Sequence, residues 1–143
     1  MERIKSNRPY LAVRAIITDE SGRVLILKRA KTKHGNGEWC LPGGNIEYGQ
    51  TAGEAMVREI KQETALNCTD VLFLFYLENL PSEESDLHYV NLVFKCSVEG
   101  EVQLNPESSD YAWIDFPDLH NYEIAFRNDV ILVRFWRNIP LSD

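Results

Sequence analysis

Residues 44–66 read GNIEYGQTAGEAMVREIKQETAL, and their periodicity sets the organisation of the chain. From Thr51 onward the apolar side chains recur with the period of a helix, and Thr51 and Glu54 have the spacing of a capping box. At about 100° per residue, one side of this helix carries a stripe that we expect to face the core. The stripe consists of Gly53, Met56, Val57, Ile60 and Thr64. The stretch therefore predicts an amphipathic helix from Thr51 to Leu66.

A second face of the same helix carries small, polar and acidic residues: Ala52, Ala55, Glu59, Gln62 and Glu63. Glu59 and Glu63 stand at i and i+4, so their carboxylates rise about 6 Å apart from one face. Like charges at this spacing destabilise a helix by roughly a few tenths of a kcal/mol, and a bound Mg²⁺ would offset that repulsion. The two alanines leave room for a ligand. The alternative is a solvated helix face on which Glu54 and Arg58 form an ion pair.

The other segments predict strands on both sides of this helix and a second helix near the end of the chain. Two apolar, β-branched runs, 10–18 and 23–28, flank turn residues and predict a hairpin. Further strands are expected at 39–41, 71–76, 89–98 and 111–114, with loops at 31–38 and 81–86 and an amphipathic helix at 127–138. Because an early hairpin argues against a purely parallel sheet, we expect an α+β fold. In this fold a mixed β-sheet lies between α-helices, an α/β/α arrangement.

The composition fits one globular domain spanning residues 1–143. Apolar residues make up 44% and charged residues 26%, and no apolar run is long enough to span a membrane. The net charge of −7, from 22 acids and 15 bases, argues against binding long nucleic acid, which requires Lys and Arg to neutralise phosphates. The polar start has no signal-peptide pattern, so the expected compartment is the cytoplasm. Cys40, Cys68 and Cys96 match no zinc spacing and are expected to be reduced packing residues.

The spacing of the quoted stretch also matches a known motif. Reading from Gly44, it is Gly-x5-Gln50-x7-Arg58-Glu59-Ile60-x-Gln62-Glu63-x-Ala65-Leu66. This resembles the signature box of the Nudix hydrolases, Gly-x5-Glu-x7-Arg-Glu-U-x-Glu-Glu-x-Gly-U, where U is a bulky aliphatic residue. The flanking segments 39–43 and 111–114 also look like those of the family, so the resemblance extends over about residues 8–138.

The resemblance implies a Nudix-like fold and a pyrophosphohydrolase that requires Mg²⁺ or Mn²⁺. Position by position, it implies that Glu59 and Glu63 bind the metal together with the carbonyl oxygen of Gly43. Glu59 would also polarise the attacking water, and Arg58 would orient Glu59 through a charge-assisted hydrogen bond. The reaction would be attack of an activated water on phosphorus.

The resemblance also implies a binding site for the substrate, a small nucleotide. Arg29 lies where the family often binds phosphate, and the basic residues 31–34 follow it. The backbone of Gly44 can approach a phosphate closely. Glu107, or alternatively Asp110, lies where many members place an additional catalytic carboxylate. The sequence 88–90, His-Tyr-Val, resembles that of members that act on nucleoside triphosphates, and a homodimer would be unsurprising.

Three positions depart from the box: Gln50, Gln62 and Ala65. Gln50 can still hydrogen-bond Arg58, and Gln62 is a weaker ligand for Mg²⁺ than a carboxylate. Ala65 disfavours the left-handed conformation that glycine would adopt, so we expect the helix to run on and Asn67 to provide the left-handed cap. These changes leave open a regulatory domain that binds a nucleotide with little turnover. An unrelated α+β domain with a chance box is a further alternative, and the base, sugar and leaving group stay open.

Overall fold

The computed structural model describes residues 7–30, 36–83 and 85–138; the basic loop predicted at 31–34 lies outside these ranges. The strands are β1 Tyr10–Ile17, β2 Val24–Arg29, β3 Trp39–Cys40, β4 Gly43–Asn45, β5 Asn67–Asn79, β6 Tyr89–Glu99 and β7 Ser108–Ile114. The helices are α1 Ala52–Thr64 and α2 Asn128–Arg137, and a 3-10 helix spans Phe116–Asn121. None of the helices in the described ranges is long and apolar enough to cross a membrane.

The strands form two sheets, with the orders β4-β1-β6-β5 and β3-β2-β7. Strands β1 and β6 are parallel, whereas the other pairings within the sheets are antiparallel, so the first sheet is mixed as predicted. The predicted hairpin turn forms, because the Asp19 N–H donates to the Arg23 carbonyl at 2.9 Å. After the Thr18–Val24 bridge, however, β1 and β2 enter different sheets, so they are not paired along their length as expected.

The core consists of two clusters separated by the first sheet. Alternate residues of β1 point to opposite faces, so Val13, Ala15 and Ile17 pack under α1 while Ile16 packs on the side of α2. The cluster under α1 includes Met56 and Ile60. The cluster on the other side includes Ile131 and Leu132 of α2. This division places residues 13–17 of β1 between the two helical layers, and residues 12–14 pair with β4, the strand that leads into α1.

Helix α1 begins as predicted, with both hydrogen bonds of the capping box between Thr51 and Glu54. Its buried face, however, is rotated toward Glu59 and Glu63 relative to the predicted stripe. Val57, predicted to be in the core, is 42% exposed, whereas Ala55, predicted to leave room for a ligand, is fully buried. The rotation arises because the small side chain of Ala55 lets the helix approach the sheet closely. It moves both acidic residues from a solvated face toward the protein interior.

The predicted end of α1 was wrong. The helix stops at Thr64, and Ala65 itself adopts the left-handed conformation with φ of +64°, whereas the predicted cap, Asn67, is the first residue of β5. The reason is the path of the following chain, which must return Leu66 to the core. The Thr64 hydroxyl stabilises this turn, donating to the Ile60 carbonyl at 2.6 Å and accepting from the Leu66 N–H at 3.2 Å.

Candidate active site

Strand β4 brings two glycines against helix α1. Gly43 and Gly44 pair in register with Arg14 and Val13 of β1 and belong to a short strand. A Cβ atom at Gly43 would collide with the carbonyl oxygen of Val13. A Cβ atom at Gly44 would lie 2.8 Å from the Oε1 atom of Glu59. Glycine is therefore needed at position 43 because of the close approach of two backbones, and at Gly44 the backbone passes directly against the Glu59 carboxylate.

The Glu63 carboxyl group is enclosed between α1 and β4. Its Oε1 atom accepts a hydrogen bond from the Gly43 N–H at 3.4 Å, and its Oε2 atom is buried without a hydrogen-bond partner. Burial raises the pKa of Glu63 well above its ordinary value, and the adjacent Glu59 raises it further, whereas the Arg14 guanidinium opposes the rise. A buried polar atom without a partner destabilises a protein unless a ligand satisfies it, so this oxygen marks a binding position.

Arg58 connects Glu59 to the segment that precedes the helix. Its Nη1 atom lies 3.1 Å from Glu59 Oε1 and 3.2 Å from Glu47 Oε1. Its Nη2 atom donates to the Asn45 carbonyl and to Gln50 Oε1, each at 3.2 Å. The guanidinium therefore holds the Glu59 carboxylate in place, as the family resemblance implies. Gln50 contributes to the same network through a neutral oxygen.

The residues present fit a hard divalent cation. Glu59 and Glu63 place carboxyl groups side by side, and among the residues that the structure describes, one of the Glu63 oxygens has no hydrogen-bond partner. Carboxylate oxygens are preferred ligands of Mg²⁺ and Mn²⁺, and Mg²⁺ keeps several waters in such sites. In the described ranges, no group of three or more His, Cys, Asp or Glu side chains converges on one point. A cation at this position would therefore need backbone or water oxygens as well, and the carbonyl of Gly43 remains the predicted one.

Two arginines flank the acidic pair. Arg29, at the end of β2, donates from Nη1 to Cys40 Sγ at 3.7 Å, and its guanidinium carbon lies 4.6 Å from the centre of the Phe126 ring. Arg14, on β1, donates from Nη1 to the Leu41 carbonyl at 2.8 Å and lies 5.6 Å from the same ring centre. Both Arg14 and Cys40 act on the charge of the Glu63 carboxyl, so the arginines and the acids share one region.

The late acidic residues occupy different positions. The Glu107 N–H donates to Asn105 Oδ1 at 2.9 Å, and Asn105 Nδ2 donates to the Gln62 carbonyl at 3.0 Å. These bonds bring the backbone of Glu107 close to the C-terminal half of α1. Asp110 instead lies on β7, opposite Lys28. The side chains of Glu107, Asp110 and Gln62 are exposed.

Sequence reasoning missed three residues of this region: Arg14, Phe126 and Asn128. Arg14 had a readable signal, because it is the only charged residue within the otherwise apolar strand β1. Phe126 and Asn128 had none, because their positions depend on tertiary hydrogen bonds. The fully buried Asn128 accepts a hydrogen bond from the Leu41 N–H at 2.8 Å and donates to the Phe126 carbonyl at 3.3 Å.

The fold and site together define a hydrolase of the kind that the motif resembles, and the comparisons with known proteins agree. A sequence model of the NUDIX domain matches residues 8–135. An ADP-ribose pyrophosphatase of Methanocaldococcus jannaschii is 34% identical over 134 residues, which cover 91% of this chain and 76% of the relative. A nudix hydrolase of Caenorhabditis elegans is 31% identical over 130 residues, 87% of this chain but 34% of the relative, so the chain spans about a third of that protein.

Solved structures show the same fold. The MutT NUDIX hydrolase from Burkholderia pseudomallei superposes with a TM-score of 0.79 at 24% identity, covering 88% of this chain and 97% of that chain. The chain therefore belongs to the Nudix family. The predicted family, the α+β fold and the enzyme class, a Nudix-type hydrolase of phosphoric anhydrides, are confirmed by these similarities.

Proposed function

We propose that this chain hydrolyses the diphosphate linkage of a nucleoside diphosphate derivative or a nucleoside triphosphate, with Mg²⁺ or Mn²⁺ as its cofactor. The observation that carries this proposal is the adjacent pair Glu59 and Glu63. The Oε2 atom of Glu63 is buried and has no hydrogen-bond partner in the described part of the chain. The relative named as an ADP-ribose pyrophosphatase supports the first class of substrate. The resemblance of residues 88–90 to members that act on triphosphates supports the second.

The roles proposed for the acidic residues rest on the family resemblance and are supported by their positions. Glu59 and Glu63 would hold the cation, with the carbonyl of Gly43 as a further ligand. Once bound, the cation supplies charge stabilisation for the phosphate oxygens and acidifies water. Glu59 accepts the proton of the attacking water, and the contact with Arg58 at 3.1 Å keeps its carboxylate oriented for this transfer. As water attacks phosphorus, the bond between phosphorus and the bridging oxygen breaks, and a phosphate leaves.

Substrate binding falls to the residues around the acids. Arg29 donates hydrogen bonds to phosphate oxygens. The missing side chain at Gly44 lets its backbone lie directly against the Glu59 carboxylate, where the substrate would bind. We further propose that the domain spans residues 1–143 and acts on a small nucleotide rather than on long nucleic acid. The cytoplasmic location and the homodimer remain predictions.

Glu107 is the proposed second catalytic carboxylate, because its backbone is tied to α1 through Asn105. Asp110, on strand β7, which begins directly after Glu107, provides a matched control. We expect Glu107→Gln to lower kcat about tenfold or more, as is typical for loss of a general acid or base, and Asp110→Asn to leave it nearly unchanged. Steady-state kinetics of the two variants measure this difference. The reverse pattern would assign the role to Asp110.

A second candidate function is a regulatory domain that binds a nucleotide with little turnover. The observation that favours it is the pair of neutral residues Gln50 and Gln62 at positions where the family motif has acids. Gln62 in addition is exposed and offers only an amide oxygen.

A screen of phosphate release separates the two functions. Nucleoside triphosphates, ADP-ribose and other diphosphate-linked nucleotides are each incubated with Mg²⁺, with Mn²⁺ or with EDTA. We expect turnover of at least one class that is lost with EDTA and in the Glu59→Gln variant. Nucleotide binding that depends on Mg²⁺, without turnover of any compound by the wild type, would favour the regulatory function.

A further inference from the structure

Arg14 carries a hydrogen-bond donor that has no partner in the described part of the chain. It lies on β1, where Val13 and Ala15 on either side are fully buried, and one of its terminal nitrogens is bound to the Leu41 carbonyl. Its Nε atom is buried without a hydrogen-bond partner. Its positive charge acts on the Glu63 carboxyl, whose Oε2 atom is likewise buried and unpartnered. This donor and this acceptor are therefore two buried polar groups of one region that a ligand with acidic and cationic parts, such as a phosphate with its metal ion, would satisfy.

Phe126 contacts the guanidinium groups of both Arg14 and Arg29. The guanidinium carbons lie 5.6 and 4.6 Å from the centre of its ring, which is the geometry of a cation–π contact. One aromatic ring therefore fixes the positions of two cations. The ring contacts a guanidinium group through its face, whereas phosphate oxygens bind a guanidinium group at its edge.

The backbone holds this ring in place at an energetic cost. Phe126 and Arg127 both have left-handed conformations, with φ of +59° and +58°, which side chains other than glycine rarely adopt. The conformation is secured by hydrogen bonds from Asn79 and Asn128 to the Phe126 carbonyl, and from Arg127 to the Glu78 carbonyl. Strained residues of this kind persist where the surrounding structure fixes them, and they concentrate at functional sites.

We propose that Arg14 is a second phosphate-binding residue for the phosphoric anhydride, beside Arg29, and that Phe126 is the positioning residue that orders both guanidinium groups. The proposal deepens the function proposed above and rests on it, because it places the phosphate next to Glu59 and Glu63. Arg14 would donate to a phosphate oxygen through Nε. A purely structural role for Arg14 would instead consist of its bond to Leu41 and its charge beside Glu63.

The test measures binding of Mg²⁺ alone and of methylenediphosphonate with Mg²⁺ by calorimetry. This probe is an analogue of diphosphate in which a methylene group replaces the bridging oxygen, so it cannot be hydrolysed at its bridge. We expect Arg14→Gln to weaken probe binding about tenfold or more, because hydrogen bonds between charged groups are lost. Mg²⁺ alone should bind equally well or more tightly, because a positive charge next to Glu63 has been removed. Arg23→Gln, in the exposed β1–β2 turn, is the control for loss of one positive charge.

Phe126 is tested with a matched aromatic residue. Phe126→Leu retains an apolar side chain and the same backbone strain but removes the aromatic face, whereas Phe126→Tyr retains the face. We expect Phe126→Leu to weaken probe binding about three- to tenfold and to raise KM for the substrate with little change in kcat. Phe126→Tyr should restore binding. Phe116→Leu is the control, because Phe116 makes a similar contact with Arg137, at 5.2 Å, outside the site.

The outcomes separate this inference from the proposed function. Unchanged probe binding in Arg14→Gln, or a parallel loss of Mg²⁺ and probe affinity, would assign Arg14 a structural role and overturn the inference. If Arg14→Gln does not fold, the affinity of Arg14→Lys for the probe is measured instead. Lysine keeps the positive charge but lacks the several N–H donors of the guanidinium group. Wild-type affinity of a folded Arg14→Lys for the probe would then overturn the inference. Nucleotide turnover by the wild type alongside any of these results leaves the proposed function standing, whereas a wild type that neither binds the probe nor hydrolyses nucleotides overturns both.

Discussion

Helices α1 and α2 begin in opposite ways. The N-terminus of α1 is closed by its own neighbours in sequence, through the capping box of Thr51 and Glu54. Helix α2 begins at Asn128, and its N-cap, Arg127, is a left-handed residue whose side chain makes no capping hydrogen bond. Its start is fixed instead by distant residues: Asn79 binds the Phe126 carbonyl, and Arg127 binds the Glu78 carbonyl.

The difference separates two kinds of functional residue. On α1, local sequence fixes the helix and with it the spacing of Glu59 and Glu63, so the acidic half of the site can be inferred from the motif. Before α2, long-range hydrogen bonds fix Phe126, so the arginine half depends on the completed fold. Mutation of the acidic residues is therefore expected to lower the catalytic rate. Mutation of the segment before α2 is expected to lower both the free energy of unfolding and the affinity for substrate.

The largest expected effect is on the α1 side of the comparison. Glu63→Gln removes the charge of a proposed metal ligand with almost no change in shape. We expect kcat to fall by about a hundredfold or more, since a bound cation commonly contributes several kcal/mol to catalysis. The metal-free variant should unfold at the same or a higher temperature, because burial of a carboxyl that has no partner on Oε2 disfavours the folded state.

Kinetics and thermal unfolding of this variant are both required, because only the pair of results separates chemistry from folding. Retained activity would place the metal site elsewhere. A large loss of stability in the metal-free variant would mean that Glu63 has a structural role.

The second effect is on the α2 side. Asn128→Ala leaves the buried Leu41 N–H without its acceptor and removes one of the hydrogen bonds donated to the Phe126 carbonyl. We expect the free energy of unfolding to fall by about 2 kcal/mol, the usual cost of an unsatisfied buried group. Denaturant unfolding measures the change, with the exposed Asn121→Ala as control. Equal stability of the two variants would contradict the view that tertiary hydrogen bonds set the start of α2.

The sequence was most informative where structure depends on neighbouring residues. The capping box, the turn after β1 and the extent of α2 were all predicted from local patterns. The rotation of α1 was not predicted. Helical periodicity shows which apolar side chains share a face, but it contains no information on how closely the small side chain of Ala55 lets the helix approach the sheet. The end of α1 was missed because the burial of Leu66 outweighed the unfavourable conformation of Ala65.

The residues of the site likewise fall into those that local sequence predicts and those that it does not. The spacing of the motif identified Arg58, Glu59, Glu63 and the glycines before them, and the structure brings these residues together. The contact between Phe126 and two arginines joins β1, β2 and the segment before α2. A contact among segments so distant in sequence leaves no local pattern to read. Arg14 is the exception, since a single charge in an apolar strand is a visible anomaly.

A smaller effect tests the two ends of α1. Thr51→Ala removes the side-chain half of the capping box, and we expect a loss of about 1 kcal/mol. Ala65→Gly removes the penalty of a left-handed alanine, and we expect a gain of roughly 0.5–1 kcal/mol. Both variants should keep wild-type kinetics, since neither side chain reaches Glu59 or Glu63. Unfolding in denaturant measures the change in the free energy of unfolding for each variant. Destabilisation by Ala65→Gly would show that the left-handed conformation of Ala65 carries no penalty.

The smallest expected effect concerns Gln62, the box position at which the chain most departs from the motif. The rotation of α1 buries Glu63 but leaves the adjacent Gln62 exposed, with Asn105 bound to its carbonyl. Gln62→Glu adds a negative charge with little change in shape. Because water screens an exposed charge, we expect Mg²⁺ to bind only about two- to fourfold more tightly, with a similar gain in activity.

Calorimetry of Mg²⁺ binding and nucleotide hydrolysis, each at low and high salt, measure this effect, and the gain should shrink as salt rises. Lys61→Gln, the preceding exposed position, is the matched control: it changes the net charge by the same amount as Gln62→Glu. If both variants tighten Mg²⁺ binding equally, the effect comes from the general field of the helix. If neither does, Gln62 does not face the cation, and its neutral side chain no longer supports a regulatory domain over an enzyme. Tighter Mg²⁺ binding without any gain in hydrolysis would instead favour the regulatory function.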